Sequence, residues 1–271
     1  MEFILTAVFS VTIIGFICAF MLCMASRFMS IKVDERLAKM EECLPGTNCG
    51  ACGFPGCSGY AKALVSDTGA KTNLCTPGGE AVLARISEIL GVEAGSVEKK
   101  IAVVHCRGDQ TALQKKMEYK GIYSCAGAKL LFSGEGACAM GCLGYGDCRL
   151  VCPCDAICLE NGLARINSFC IGCGLCAAAC PSGLITIEDA SIATVVLCKN
   201  IEKGALAKKK CSNACIGCGK CAKECPSGAI IIKDYLAIID YGKCKSCGHC
   251  AEICVTKSIQ PSLTKKLARA T

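Results

Sequence analysis

Cys49, Cys52, Cys57 and Cys75 are spaced C-x2-C-x4-C-x17-C. Four thiolates drawn from so short a stretch suit one polynuclear metal centre. Gly50, Gly53, Pro55 and Gly56 let the chain curl about such a centre and aim its amides at the sulfurs. A structural zinc site is the competing reading, but zinc favours two separated C-x2-C knuckles over a triplet plus one. Cys43 lies close by and is expected to carry no metal.

The densest thiol chemistry occurs twice. A shift of 73 residues lays Cys138, Cys142, Cys148 and Cys152 on Cys211, Cys215, Cys221 and Cys225. With one inserted residue, Cys170, Cys173, Cys176 and Cys180 fall on Cys244, Cys247, Cys250 and Cys254. Each copy has the form of a bacterial two-cluster ferredoxin, in which the fourth Cys of each motif ligates the other motif's [4Fe–4S] cluster. The second copy then reads as Cys215, Cys218 and Cys221 with Cys254, and Cys244, Cys247 and Cys250 with Cys225. In the first copy, Cys170, Cys173 and Cys176 go with Cys152. The remaining set, Cys142, Cys148 and Cys180, lacks a thiol because Tyr145 stands where the other copy has Cys218. Cys138 is the expected replacement and Cys154 an alternative; without either, the site would hold three irons. Five [4Fe–4S] clusters are expected. A sixth would use Cys106, Cys125, Cys198 and Cys211, whose competing reading is that of buried free thiols.

The chain has 271 residues, 29 of them Cys and two His. Disulfides fit the tight triplets poorly, so a reducing compartment is expected. The formal charge is +7, but each cluster with its four thiolates carries about −2, so five would bring the protein to roughly −3. With no Trp and no basic stripe interleaved with aromatics, nucleic acid is not an expected partner. No dinucleotide fingerprint, Walker lysine or catalytic dyad is legible, and His105 and His249 are isolated. Electron transfer is the function class these observations favour, in a chain that is not a complete enzyme by itself.

These centres need a scaffold and an anchor. Phe3 to Ser26 carries no charge, long enough to cross a bilayer, and it has no basic leader of the kind a signal peptide shows. Arg27, Lys32, Arg36 and Lys39 follow it, which by the positive-inside rule puts the N-terminus outside and the cysteine-rich part in the cytoplasm. YAKALVSDTGA and Glu80 to Leu90 read as helices. IAVVHCRGD reads as a strand and turn, and residues 111–132 as a helix broken at Gly121. Asn161-Gly162 and Lys233-Asp234 mark hairpins. The expected fold class is α+β, in six parts: an anchor (1–28), a linker (29–42), a small helical four-iron domain (43–95), a connecting segment (96–137) and two tandem two-cluster ferredoxin-like modules (138–198 and 199–271). Few large apolar residues lie between the cysteines, so the bound metal is expected to supply much of each module's folding free energy.

The order of membrane helix, NCGACGFPGC…C, VHCRGD, YSC, CAMGCLGYGDC and two ferredoxin modules resembles the B subunit of the Rnf complex over nearly the whole chain. The resemblance implies an electron-input subunit of an ion-pumping (Na+ or H+) ferredoxin:NAD+ oxidoreductase in the bacterial cytoplasmic membrane. Its partners would be soluble ferredoxin and other membrane and flavin-bearing subunits. The sequence departs from the family at Cys154 and Cys158, and at Val255, which follows Cys254 where Pro is usual. An iron–sulfur sensor or scaffold is the alternative from another class, and a cluster subunit of a hydrogenase or formate dehydrogenase is a third.

Overall fold

The computed structural model describes residues 2–28, 35–66 and 69–261. Lys32, linker residues 29–34, Asp67, Thr68 and the tail 262–271 lie outside the described residues. The chain divides into two units, Met1–Lys39 and Met40–Thr271.

The first unit is dominated by α1 (Glu2–Phe28). Its apolar window has a mean hydropathy of 2.5 and buries nothing against protein, so this helix is long and apolar enough to cross a membrane. Its hydroxyls turn inward to carbonyls one turn back: Thr6 to Glu2 at 2.9 Å, Ser10 to Ala7 at 2.9 Å, and Thr12 to Val8. Polar groups paired within the helix are what a hydrocarbon surround demands.

α2 (Glu35–Cys43) carries buried Met40 and Cys43. It leads into a helical region formed by α3 (Gly56–Val65) and α4 (Gly79–Leu90). Leu44, Tyr60, Leu64, Leu83 and Ile86 are buried there. Tyr60 donates to the Lys71 carbonyl at 2.7 Å and accepts from the Leu74 amide at 3.4 Å, tying α3 to the stretch that ends in Cys75. α3 begins at Gly56, before the YAKALV segment that suggested it.

The rest is built twice. β1 (Lys100–Val104) is followed by α5 (Cys125–Leu130) and α6 (Asp147–Leu150), then by the hairpin β2 (Ile157–Glu160) and β3 (Leu163–Ile166), α7 (Leu175–Ala179) and β4 (Ile185–Asp189). The second copy runs β5 (Thr194–Val196), α8 (Gly204–Lys210), α9 (Lys220–Lys223), β6 (Ile230–Lys233), β7 (Leu236–Ile239), α10 (His249–Glu252) and β8 (Ile259–Pro261). β1 pairs antiparallel with β4, placing Val104 opposite Ile185; β5 pairs likewise with β8, placing Val196 opposite Ile259. Each repeat is therefore completed by a strand that precedes its cysteine motifs. The expected boundary at 137/138 separates β1 from its partner, and the one at 198/199 separates β5 from β8.

The hairpin turns follow from local chemistry. Asn161 and Gly162 both take positive φ, 49° and 71°, and so do Asp234 and Tyr235, 48° and 58°. Two central residues with positive φ match the right-handed strand twist, and the second turn lies one residue beyond Lys233-Asp234. Gly144 and Gly217, equivalent in the repeat, run against these turns. A Cβ on Gly144 would sit 2.4 Å from the Gly162 carbonyl oxygen, and one on Gly217 2.6 Å from that of Tyr235.

The helix expected over 111–132 survives only as α5. Asp109 instead closes a turn by accepting from Thr111 and Ala112. The chain then runs extended, with Leu113 bridging to Cys211 and Lys115 to Gly136. These pairings give the backbone of this Lys- and Tyr-rich stretch partners that its weak apolar periodicity could not secure as a helix.

Candidate iron–sulfur centres

In both repeats the buried core alternates aliphatic side chains with thiols. Val104, Ile157, Leu163 and Leu184 surround Cys106, Cys148 and Cys176; Val196, Ile230, Ile239 and Ile259 surround Cys215, Cys221 and Cys250. Sorted by shared cavities and mutual electrostatic fields, 24 of the 29 thiols form six quartets.

The N-terminal quartet is Cys49, Cys52, Cys57 and Cys75, the last feeling the field of the other three. Asn48 accepts from the Cys57 amide at 2.8 Å and fixes the loop. Cys176 lies in the field of Cys170, Cys173 and Cys152, giving the outer quartet of the first repeat. In the second repeat, Cys221 faces Cys215, Cys218 and Cys254 (inner quartet), and Cys250 faces Cys244, Cys247 and Cys225 (outer quartet). In both repeats these groupings take their fourth sulfur from the other motif.

The remaining quartets differ from expectation. One small cavity is lined by Cys125, Cys142, Cys148 and Cys180. It is Cys125, and not the expected Cys138, that shares this cavity with Cys142, Cys148 and Cys180. Asp147 brings it there: its carboxylate accepts from the Cys125 amide at 2.8 Å, the Ala126 amide at 3.0 Å and Ser124 Oγ at 3.0 Å. Burial works against the charge of Asp147, but these donors outweigh it and hold its carboxyl below the usual range. Tyr145 packs among other tyrosines, its ring 5.6 Å from that of Tyr119 and 5.8 Å from that of Tyr123. Cys138 lies elsewhere, lining a second cavity with Cys106, Cys198 and Cys211.

This joining quartet is two-fold in pattern. Each repeat gives one Cys two residues past its added strand (Cys106, Cys198) and one four residues before its first motif (Cys138, Cys211). The Cys142 amide donates to Cys106 Sγ at 3.4 Å and the Cys215 amide to Cys198 Sγ at 3.3 Å. Asn200, which is 1% exposed, breaks the symmetry. Its backbone amide donates to Cys198 Sγ at 3.4 Å and its Nδ2 to Cys138 Sγ at 3.5 Å, while Gly108 holds the matching place in the first repeat.

The donor sets fit [4Fe–4S] clusters. Backbone amides of Ala102, Ala156 and Leu184 point at the sulfurs of Cys170, Cys152 and Cys180 at 3.3–3.5 Å, as thiolate ligands require. Burial pushes the Cys106 and Cys148 thiols up to about 12, and Cys176, Cys198 and Cys221 to about 11. Thiolates at such places need a cationic centre beside them. Among the described residues no three ligating side chains close on one point as a single metal ion demands; the thiols surround a space.

Comparison with known proteins agrees. A family model described as an Fe-S cluster (FeS) matches residues 44–77, and one described as a 4Fe-4S dicluster domain matches 169–229 and 214–258. The chain is 41% identical over 92% of its length, and 89% of the relative's, to the B subunit of the proton-translocating ferredoxin:NAD(+) oxidoreductase complex of Clostridium ljungdahlii. It is 38% identical over 89% of its length, and 73% of the relative's, to the Na(+)-translocating counterpart of Acetobacterium woodii. It is also 38% identical to the B subunit of the ion-translocating oxidoreductase complex of Methanosarcina acetivorans, over 91% of this chain and 94% of that one. The chain belongs to the family of Rnf complex B subunits.

Within this Rnf protein the sequence held one unread signal for Cys125. Asp147 stands where the second repeat has Lys220, two residues past the Tyr145/Cys218 exchange. The missing thiol and the carboxylate that holds Cys125 fall within three residues of each other.

Proposed function

We propose that this chain is the membrane-anchored electron-transfer subunit of an ion-translocating ferredoxin:NAD+ oxidoreductase, accepting electrons from reduced ferredoxin and passing them to partner subunits. Six [4Fe–4S] clusters on the six quartets would supply the one-electron carriers. The anchor is residues 1–28, with the quartets on the cytoplasmic side of the membrane.

The observation that carries this reading is the unbroken adjacency of the quartets. Cys49 lies in the field of Cys173, Cys176 in that of Cys148, Cys142 in that of Cys106, Cys215 in that of Cys198, and Cys250 in that of Cys221. Each quartet thus lies within the electrostatic reach of the next, in the order N-terminal, outer and inner of the first repeat, joining, inner and outer of the second. A sensor would need an output element, and a scaffold would need no such order.

The two ends differ. In the first repeat one outward corner faces Cys49 and the other is the tyrosine-covered Tyr145. Their equivalents, Cys247 and Cys218, are exposed, and exposed Lys220, Lys223, Lys243 and Lys245 stand close to them in sequence. Residues 199–261 carry eleven lysines and five carboxylates, whereas 138–198 carry two arginines and five carboxylates. A basic rim around exposed ligands suits an acidic one-electron protein carrier, and charge complementarity acts mainly on the association rate.

The test is stopped-flow reduction of the full-length, cluster-loaded chain by reduced ferredoxin. Exchanging the four lysines for Glu should lower the second-order rate about tenfold or more at low salt and flatten its salt dependence. Loaded protein that ferredoxin does not reduce sinks the function; an unchanged rate in the variant sinks the port.

A further inference from the structure

The repeats are not chemically equal around their sulfurs. In the second repeat three hydroxyls come within 3.6 Å of ligand sulfurs: Ser258 Oγ lies 3.4 Å from Cys254, Thr194 Oγ1 3.6 Å from Cys250, and Ser227 Oγ 3.6 Å from Cys225, with Thr256 Oγ1 farther off at 4.0 Å from Cys254. A cluster-bound thiolate has no proton to give, so in each pair the hydroxyl donates. Thr194 and Ser258 are 2% and 1% exposed, leaving them little water as an alternative partner. Thr256 donates to Ser258 Oγ at 3.2 Å and orients it.

The first repeat lacks every one of these. Strand registers equate Val104 with Val196, and so Ala102 with Thr194. The motif alignment equates Cys154 with Ser227 and Leu184 with Ser258. Ser182, the counterpart of Thr256, has a buried Oγ with no partner. The sulfurs of Cys152, Cys170 and Cys180 are met by backbone amides.

Reduction adds one negative charge, shared with the ligand sulfurs, so a donor aimed at a sulfur stabilises the reduced state more than the oxidised one and raises the potential. Solvent acts in the same direction at exposed Cys218 and Cys247.

We propose that the hydroxyls of Thr194, Ser227 and Ser258 hold the two centres of the second repeat at higher reduction potential than the two of the first. The second repeat then fills first and stores electrons at the end of the chain open to solvent. This rests on the reading that the quartets carry [4Fe–4S] clusters.

The experiment is an EPR-monitored redox titration of the full-length holoprotein with iron and sulfide counted in every sample. Thr194→Val and Ser227→Ala should shift the outer quartet of the second repeat to more negative potential. Ser258→Ala should do the same for the inner quartet, whereas Thr194→Ser should keep the wild-type value. Cys154→Ser, which puts a hydroxyl beside Cys152, should move the first repeat's outer centre upward, an arm that does not depend on deleting a buried group. Full iron content with unmoved midpoints in these variants overturns the proposal alone. Wild-type protein that binds no [4Fe–4S] clusters overturns the reading beneath it as well.

Discussion

The backbone amide of Cys142 donates to the sulfur of Cys106 across 3.4 Å, so a residue of one quartet holds a sulfur of the next. The equivalent bond from Cys215 to Cys198 makes the joining quartet a splice between two repeats.

That splice separates Cys125 from Cys138 in effect. Cys138→Ala and Cys211→Ala should remove the same centre, about four of roughly 24 irons, and should give one shared difference spectrum. Cys125→Ala should remove a different signal. Identical difference spectra for the Cys125 and Cys138 variants would return Cys138 to the corner beside Tyr145.

Asp147 holds Cys125 through two amides and a hydroxyl. Asp147→Asn trades a charged acceptor for a neutral one, a loss of about 1–2 kcal/mol of local stability. The inner centre of the first repeat should then lose iron to a chelator faster than its neighbours do. Equal chelation rates for the variant and the wild type would mean that Asp147 is not what secures Cys125.

Asn200 offers its Nδ2 to Cys138 from a fully buried position. Asn200→Leu keeps the volume and removes the donor, so the joining centre should titrate at lower potential while the other midpoints stay in place. A midpoint that does not move at full iron content contradicts this role.

Cys57→Ala should abolish the N-terminal centre and leave about 20 irons and both ferredoxin-like repeats folded. Circular dichroism and iron counting on the same sample decide it. Collapse of every signal would mean that the four-iron region and the repeats fold as one unit.

Spacing alone led to the expectation of crossed quartets, because C-x2-C-x2-C brings three sulfurs to one centre by local geometry. It carried the hairpins at Asn161-Gly162 and near Asp234 for the same reason: both are decided within a few residues. It did not reach Cys125 or the grouping of Cys106 with Cys138, Cys198 and Cys211, since these sulfurs meet only through the β1–β4 and β5–β8 pairings and the Asp147 clamp. Nor did it reach the extended path through Leu113 and Lys115, whose bridges lie with residues far along the chain. Long-range pairing leaves little mark on local pattern.

The joining quartet has a consequence for how the molecule is made. Its first thiol, Cys106, leaves the ribosome more than a hundred residues before its last, Cys211, whereas the N-terminal set is complete by Cys75. The assembly machinery that delivers iron and sulfide can fill that set while translation continues. At the splice, Cys106 and Cys138 have to be kept reduced and free of wrong partners until the second repeat emerges. Starvation for iron should therefore yield chains whose two halves carry metal but are not wired to each other.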